Sequence, residues 1–370
     1  MRCSSAGLST CASSTSSTSR RSRFGKSRRC QTPILVSDTG EHLLIAGAGM
    51  GGLVAAVRAR ELGLEPVVVE KGTRAGGSML LSSCVVWRHE AWEDFRADCP
   101  SGDEALQRLV WERLDDALAW LVSLGAEAVW DDTENPRTTG KRFDPRALTE
   151  LLATRADVHL GTELDPAADL PVVLATGGFG RRLAEERGLL LRANSWSRGD
   201  GLDWALARGA SVTGGMGEFY GRVMPARPAR IREEDFVRLA QLYGHEARVL
   251  DDEMRDITPK KVAWHENDLA QLVGQSAWYV VEHTNERIEA AREAGATVVE
   301  RDDGRIAVHV TAGVTHTIGG LRVDTNARVA GLDGVWAAGV DAGGVATGGY
   351  ASGLAQALVL GLAAAEDAAR

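Results

Sequence analysis

The chain has 370 residues, 44% hydrophobic and 25% charged, a composition typical of soluble globular proteins with one large or two medium domains. Its formal net charge of −9 disfavours nucleic acid as a partner, because an acidic surface repels phosphate backbones. No apolar run approaches the roughly 20 residues that span a bilayer, which excludes an integral membrane protein.

The five cysteines include no Cys-x-x-Cys pair. This spacing argues against a disulfide framework and against a zinc knuckle. We therefore expect no metal site, and we expect a reducing, cytoplasmic location.

Residues 1–40 are rich in Ser, Thr and Arg and lack hydrophobic periodicity, so we expect this tail to be disordered. Its composition resembles an organelle transit peptide, and Ser19-Arg20-Arg21 resembles the start of a twin-arginine signal, although no apolar segment follows. A start codon assigned too far upstream explains the tail better than targeting does.

Residues 42–71 predict a βαβ unit, with a short apolar strand, a glycine-rich turn, an amphipathic helix and a second strand. Gly47 permits the turn, Gly49 lets the backbone approach a pyrophosphate, and Gly52 lets helix and strand pack closely. Glu70, at the end of the second strand, is placed to accept hydrogen bonds from a ribose. The pattern predicts a dinucleotide site, with a glycine-rich turn of some other α/β protein as the alternative.

Two later stretches repeat the design of an apolar strand that runs into glycines, at residues 172–180 and 334–344. One phosphate group needs one such turn, so the recurrence indicates a longer, folded cofactor. Between and around these turns we predict helices at 104–124, 145–155, 200–208, 286–294 and from Gly353 to the C-terminus, and strands at 158–160, 278–281, 297–300 and on either side of 316–324.

The composition changes over residues 214–310, which carry more charge and no glycine-rich strand ends. We therefore predict an α/β fold whose nucleotide-binding domain is discontinuous, with residues 41–213 and 311–370 flanking an inserted α+β capping domain at 214–310. The capping domain is short, because we would expect one more helical segment between Gly295 and Ile306.

Several ordered motifs together resemble one known family, the flavoprotein subunits of fumarate reductases and succinate dehydrogenases with their relatives, the tricarballylate dehydrogenases and 3-ketosteroid Δ1-dehydrogenases. The motifs are Gly47-Ala48-Gly49-Met50-Gly51-Gly52, Gly76-Gly77-Ser78, Ala175-Thr176-Gly177-Gly178-Phe179, Gly199-Asp200-Gly201, His316-Thr317-Ile318-Gly319-Gly320-Leu321-Arg322-Val323-Asp324 and Gly339-Val340-Asp341.

The resemblance implies a Rossmann-like domain that binds FAD, with Glu70 at the adenosine ribose, the glycine turns at the pyrophosphate and Asp341 near the ribityl chain. In some relatives a histidine after the second glycine turn bonds covalently to the flavin. Residues 76–84 contain no histidine, so we expect non-covalent FAD. The cofactor contacts implied are Gly47, Gly49, Gly51, Gly52, Glu70, Lys71, Gly76, Gly77, Ser78, Ala175, Thr176, Gly177, Gly339, Asp341, Ser352 and Leu354.

The resemblance also implies that hydride moves between a substrate carbon and flavin N5 while a side chain on the other face moves a proton. The family's proton-donating arginine falls within residues 253–261, where this chain has no arginine at the matching position, and Lys260 or Lys261 could stand in.

Three further residues fall at substrate-binding positions of the family. Tyr350 replaces an arginine that clamps a carboxylate, and a tyrosine cannot form the bidentate charged fork, which disfavours fumarate. His316 matches a substrate-binding histidine. Arg222 falls where relatives have another histidine, and it could hold a carboxylate.

We therefore predict an FAD-dependent oxidoreductase that adds or removes two hydrogens across a carbon–carbon bond next to a carboxylate or carbonyl. Tyr350 would carry the proton or bind the oxyanion, and His316 and Arg222 would orient the substrate. The partners are a small carboxylate or ketone and an unidentified electron donor or acceptor. The alternatives are an inactive flavin-binding scaffold or regulator, a flavin monooxygenase and a nicotinamide dehydrogenase.

Overall fold

A computed structural model describes residues 42–168, 171–240, 242 and 244–370, so the predicted disordered tail lies outside the described residues. The strands are β1 (His42–Ala46), β2 (Glu65–Glu70), β3 (Val85–His89), β4 (Ala128–Trp130), β5 (Thr138–Phe143), β6 (Asp157–Leu160), β7 (Val172–Leu174), β8 (Leu190–Leu191), β9 (Phe219–Pro225), β10 (Arg248–Leu250), β11 (Ala277–Val281), β12 (Val298–Glu300), β13 (Ile306–Thr317) and β14 (Val335–Ala337).

The helices are α1 (Met50–Glu61), α2 (Trp92–Asp98), α3 (Glu104–Ser123), α4 (Pro145–Ala153), α5 (Gly180–Arg187), α6 (Asp200–Leu206), α7 (Phe236–Leu239), α8 (Asn267–Val273), α9 (Glu286–Glu293) and α10 (Gly353–Ala368). Within the described ranges, none of them combines the length and the apolarity needed to cross a membrane.

A parallel sheet of order β14-β7-β1-β2-β6 forms the nucleotide-binding core. The glycine turns after β1, β7 and β14 lie at its carboxyl edge, where parallel α/β sheets bind ligands. The closing helix α10 packs on α1, and a Cβ at Gly361 would lie 2.7 Å from the carbonyl oxygen of Gly51. The small residue therefore permits the close crossing of the two helices.

A second sheet is built around the long strand β13. The first half of β13 pairs with β11 and β12, and its second half pairs with β9 and β8. The strand passes through residue 311 without a break, so one continuous element joins the predicted capping segment to the second part of the nucleotide-binding segment. The division into domains stays a prediction.

Most of the predicted elements form, and their ends follow capping chemistry. Asp103 accepts a hydrogen bond from the N–H of Leu106 at the start of α3, and Asp144 caps α4 with Pro145 at its first position. The second strand predicted around residues 316–324 is wrong, because residues 318–324 make only isolated bridges, at Leu321 and Val323. The glycines at 319 and 320 explain the break, since glycine weakens strands.

A third, antiparallel sheet of order β3-β5-β4 was not predicted. It brings Trp87 of β3 to the aromatic end of the cavity described below.

Candidate active site

A cavity runs along the carboxyl edge of the parallel sheet. Its empty volume is about 1460 Å³, including the part that is open to solvent. Three predicted cofactor residues, Gly52, Gly76 and Asp341, do not line it. The other predicted cofactor residues line it, namely Gly47, Gly49, Gly51, Glu70, Lys71, Gly77, Ser78, Ala175, Thr176, Gly177, Gly339, Ser352 and Leu354.

The turn after β1 forms a cradle of bare backbone. A Cβ at Gly47, whose φ is +106°, would lie 2.2 Å from the carbonyl oxygen of Ala175, so this position requires glycine. A Cβ at Gly49 would meet no protein atom within 4 Å. This open space lies beside the N-terminus of α1, whose free N–H groups favour phosphate. The cradle therefore fits the pyrophosphate of a dinucleotide such as FAD.

Glu70 lines the cavity and connects the backbone that follows β1 with the backbone that follows β2. Its side chain is 6% exposed, and its two carboxylate oxygens accept hydrogen bonds from the N–H groups of Ala48, at 2.8 Å, and Gly72, at 2.6 Å. Each oxygen keeps a lone pair that could accept a ribose hydroxyl. Lys71 forms an ion pair with Asp200, and both side chains also line the cavity.

Asp341 faces the turn after β7 instead of the cavity. Its buried carboxylate accepts hydrogen bonds from the Thr176 N–H, from the Thr176 hydroxyl at 3.0 Å and from the Gly178 N–H at 3.0 Å. Burial raises the pKa of Asp341, although these hydrogen bonds oppose the rise. Asp341 therefore fixes the backbone of residues 176–178, of which Thr176 and Gly177 line the cofactor cleft.

Four rings surround the far end of the cavity, and we call Trp87, Tyr220, His316 and Tyr350 the aromatic box. Tyr220 and Tyr350 are stacked, with centroids 3.6 Å apart and planes 12° from parallel. The centroid of His316 lies 5.5 Å from that of Tyr220, and the centroid of Trp87 lies 5.5 Å from that of Tyr350. Flat apolar walls with a few polar groups are typical of small-molecule sites.

Burial keeps two titratable groups of the aromatic box, Tyr350 and His316, neutral. Burial, followed by the adjacent phenol of Tyr220, raises the pKa of Tyr350 well above its usual value, so its hydroxyl is a proton donor. Burial lowers the pKa of His316. Nδ1 of His316 lies 3.1 Å from the carbonyl oxygen of Thr317, which can only accept, so Nδ1 carries the proton and Nε2 is an acceptor.

Gly353, the first residue of α10, leaves space for the imidazole ring of His316. Nε2 of His316 lies 2.9 Å from the position that a Cβ of Gly353 would occupy. A side chain at residue 353 would displace the imidazole, so the glycine makes room for the ring at the start of the helix.

The other predicted substrate residues lie outside the cavity lining. The Arg222 guanidinium lies 2.8 Å from the Glu266 carboxylate and donates to the carbonyl oxygens of His265 and Ala240, each at 3.2 Å. Lys260 and Lys261, the alternatives for the missing arginine, are exposed.

Sequence reasoning missed Trp87, Tyr220 and Arg192, which all line the cavity. Arg192 closes the apolar run Leu189-Leu190-Leu191 just before the Gly199-Asp200-Gly201 motif. A lone charge at the end of an apolar run that leads into a cofactor motif is the signal that could have drawn attention to it.

A family model described as FAD binding domain matches residues 42–165 and 156–354 of the chain. No curated protein matches the chain significantly. The match confirms the predicted cofactor, FAD, and the cavity has the bare backbone that this cofactor needs. That FAD is bound non-covalently stays a prediction.

Solved structures with the same fold include reductases and dehydrogenases. The open conformation of a flavocytochrome c3 fumarate reductase has a TM-score of 0.66 at 20% identity, covering 89% of this chain and 78% of that one. The 3-ketosteroid Δ1-dehydrogenase from Sterolibacterium denitrificans has a TM-score of 0.63 at 14% identity, covering 88% and 99%. The 3-ketosteroid Δ4-(5α)-dehydrogenase from Rhodococcus jostii RHA1 has a TM-score of 0.60 at 16% identity, covering 89% and 97%. The predicted fold class is confirmed.

Proposed function

Because the chain belongs to this FAD-binding family of oxidoreductases, we propose that it reduces or introduces a carbon–carbon double bond next to a carboxylate or carbonyl group. The observation that carries the proposal is the aromatic box, which lies in the same cavity as the phosphate cradle and holds a protonated phenol and a neutral imidazole. FAD bound there would supply a hydride donor or acceptor at N5.

Tyr350 has the role of proton donor in this proposal. Its raised pKa keeps the hydroxyl protonated at neutral pH, so it can donate to a developing carbanion or to the oxygen of an enolate. Donation of the proton leaves a phenolate, and the reverse reaction needs the same phenolate as its base, so burial disfavours this state equally in both directions. The test below measures the reducing direction.

His316 has the role of orienting the substrate. The bond from Nδ1–H to the Thr317 carbonyl fixes the ring, and Nε2 remains free to accept a hydrogen bond. A neutral imidazole does not attract a carboxylate by charge. His316 is therefore suited to position a polar hydrogen, and the recognition of an anion requires another residue.

Arg222 has the role of holding the wall of the site in this proposal. Its hydrogen bonds tie β9 to the carbonyl groups of residues 240 and 265, and Glu266 balances its charge. It would act on the substrate only through Tyr220, its neighbour on the same strand.

The test is anaerobic reoxidation of the reduced holoprotein by a panel of enoates and enones, followed by flavin absorbance. We expect at least one acceptor to restore the oxidised spectrum. Failure of the whole panel would support an inactive flavin-binding protein instead. Oxygen consumption driven by NADPH and coupled to a hydroxylated product would support a monooxygenase.

A further inference from the structure

We propose that Arg192 binds the carboxylate of the substrate and that the substrate is a monocarboxylic acid with a planar, conjugated body. This inference rests on the proposed function, because it names the substrate class of the same cavity. Neither the motifs nor the predicted substrate residues include Arg192.

Arg192 is held rigidly at the cavity wall. It follows β8, and its backbone N–H donates to the carbonyl oxygen of Val314 at 2.8 Å. In its side chain, Nε donates to the carbonyl oxygen of Phe236 and Nη1 to the hydroxyl of Thr315, each at 3.0 Å. A guanidinium has five N–H donors, so most remain available for a ligand in the cavity that it lines.

Arg192 has no counter-ion in the part of the chain that the structure describes, because no carboxylate there lies within 4.0 Å of its guanidinium. The neighbouring cation, Arg222, has its own counter-ion in Glu266 at 2.8 Å. Burial and the like charge of Arg222 lower the pKa of Arg192, yet an arginine keeps its proton in proteins.

A partly buried cation without a counter-ion costs free energy, and an anionic ligand removes that cost. The Arg192 fork can bind a carboxylate through two parallel hydrogen bonds. His316 and Tyr350, two polar groups of the aromatic box, are neutral, so neither replaces Arg192 in this role.

The aromatic box defines the rest of the ligand. The stacked rings of Tyr220 and Tyr350 and the edge of Trp87 form flat walls. Flat rings gain contact area and favourable stacking when a planar body lies against them. An arylpropenoic acid combines such a body with one carboxylate conjugated to the double bond.

The test is binding to the oxidised holoprotein, measured as the perturbation of flavin absorbance and independently by calorimetry. The probes are 3-phenylpropanoate, which has no double bond to reduce, and its carboxamide. We expect wild type to bind the acid about ten- to hundredfold more tightly than the amide, as charge-assisted hydrogen bonds allow. Arg192→Gln should remove this preference and Arg192→Lys should keep part of it.

The control is Arg198→Gln, which removes an arginine of the same segment whose side chain is 45% exposed and paired with Glu185. It should leave the preference for the acid unchanged. Equal binding of acid and amide by wild type, no saturable binding of the acid, or an unchanged preference in Arg192→Gln would each overturn the proposal. The proposal would also be overturned if Arg192→Gln changed the flavin reduction potential and left the binding of both probes unchanged.

The two proposals fail in different ways. If the acid binds through Arg192 but no enoate or enone reoxidises the reduced protein, the anion site stands and the proposed function fails. If enones reoxidise the protein while acid and amide bind alike, the proposed function stands and the role of Arg192 fails.

Discussion

Tyr350 is the side chain on which the proposed proton transfer depends. Removing its hydroxyl by Tyr350→Phe should slow reoxidation by the best acceptor about 10²–10⁴-fold, the usual contribution of a general acid. The aromatic contacts to Tyr220 and Trp87 remain in the variant, so the FAD content should not change. Stopped-flow absorbance measures the rate, and a rate equal to that of wild type would exclude the role.

The matched control is Tyr279→Phe. The Tyr279 hydroxyl is buried and has no hydrogen-bond partner among the described residues. Its removal should leave reoxidation unchanged and should keep or raise the free energy of unfolding by about 1 kcal/mol, because an unsatisfied buried hydroxyl is costly.

Gly49 and Gly52 separate cofactor binding from folding. An added Cβ at Gly49 meets no protein atom, whereas one at Gly52 would lie 1.9 Å from the carbonyl oxygen of Gly47. Gly49→Ala should therefore fold but bind FAD at least about tenfold more weakly, since its methyl group enters the phosphate cradle. Gly52→Ala should lose about 1–3 kcal/mol or more of stability.

Titration of each apoprotein with FAD, together with its urea unfolding curve, checks this pair. Wild-type affinity in a folded Gly49→Ala variant would show that the pyrophosphate lies elsewhere.

At the scale of elements, Asp98 at the end of α2 joins three parts of the chain. Its carboxylate accepts hydrogen bonds from Nε2 of His89, at 3.0 Å, and from Nε1 of Trp264, at 2.9 Å. Trp264 in turn packs edge-on against Trp87 of the aromatic box, with centroids 5.3 Å apart. The carboxylate therefore supports one wall of the candidate site.

Burial alone would raise the pKa of Asp98, but the hydrogen bonds from His89 and Trp264 lower it to about 2. A lowered pKa in the folded state stabilises the protein above the unfolded value of 3.8, and this contribution is lost as the pH falls toward 2. It amounts to at most about 2 kcal/mol, and solvent screening reduces it.

Asp98→Asn should therefore unfold more easily than wild type near neutral pH, and the difference should shrink below about pH 4. Urea unfolding across this pH range measures it. The control is Asp115→Asn, whose carboxylate is 62% exposed. A gap between Asp98→Asn and wild type that stays constant down to pH 2 would contradict the assignment.

The elements also show what the sequence could predict. Helices with clear caps, such as α3 and α4, and strands that run into glycine, such as β1 and β7, follow from local chemistry. The sheet β3-β5-β4 was missed because its strands lack the alternation of hydrophobic and polar residues that predicts a strand; β5 has the sequence Thr-Thr-Gly-Lys-Arg-Phe, with a single hydrophobic residue. Pairing between distant segments forms it, and a local pattern does not encode such pairing.

At the scale of the whole molecule, the cofactor cleft could be predicted from the sequence, whereas only two of the four residues of the aromatic box could. The glycine motifs carry their own backbone chemistry, so Gly47 and Gly177 could be assigned before the fold was known. Tyr350 and His316 came from the family resemblance. Trp87 and Arg192 line the same cavity only because the sheet β3-β5-β4 and the end of β8 border it. No local sequence pattern predicts that arrangement.

Segments that are distant in the sequence line one continuous cavity. The phosphate cradle comes from the turn after the first strand of the parallel sheet, the aromatic box from four separate parts of the chain, and β13 runs from the capping segment to His316. We therefore expect FAD and the acceptor's double bond to react within this single cavity.

Analysis of the products of a single anaerobic turnover tests that claim most directly. Reduced holoprotein is mixed with an equimolar arylpropenoic acid and the products are weighed by mass spectrometry. We expect one saturated acid, two hydrogens heavier than the acceptor, for each FAD that is reoxidised. Reoxidation without that product, or a product one oxygen heavier when air is admitted, would contradict it.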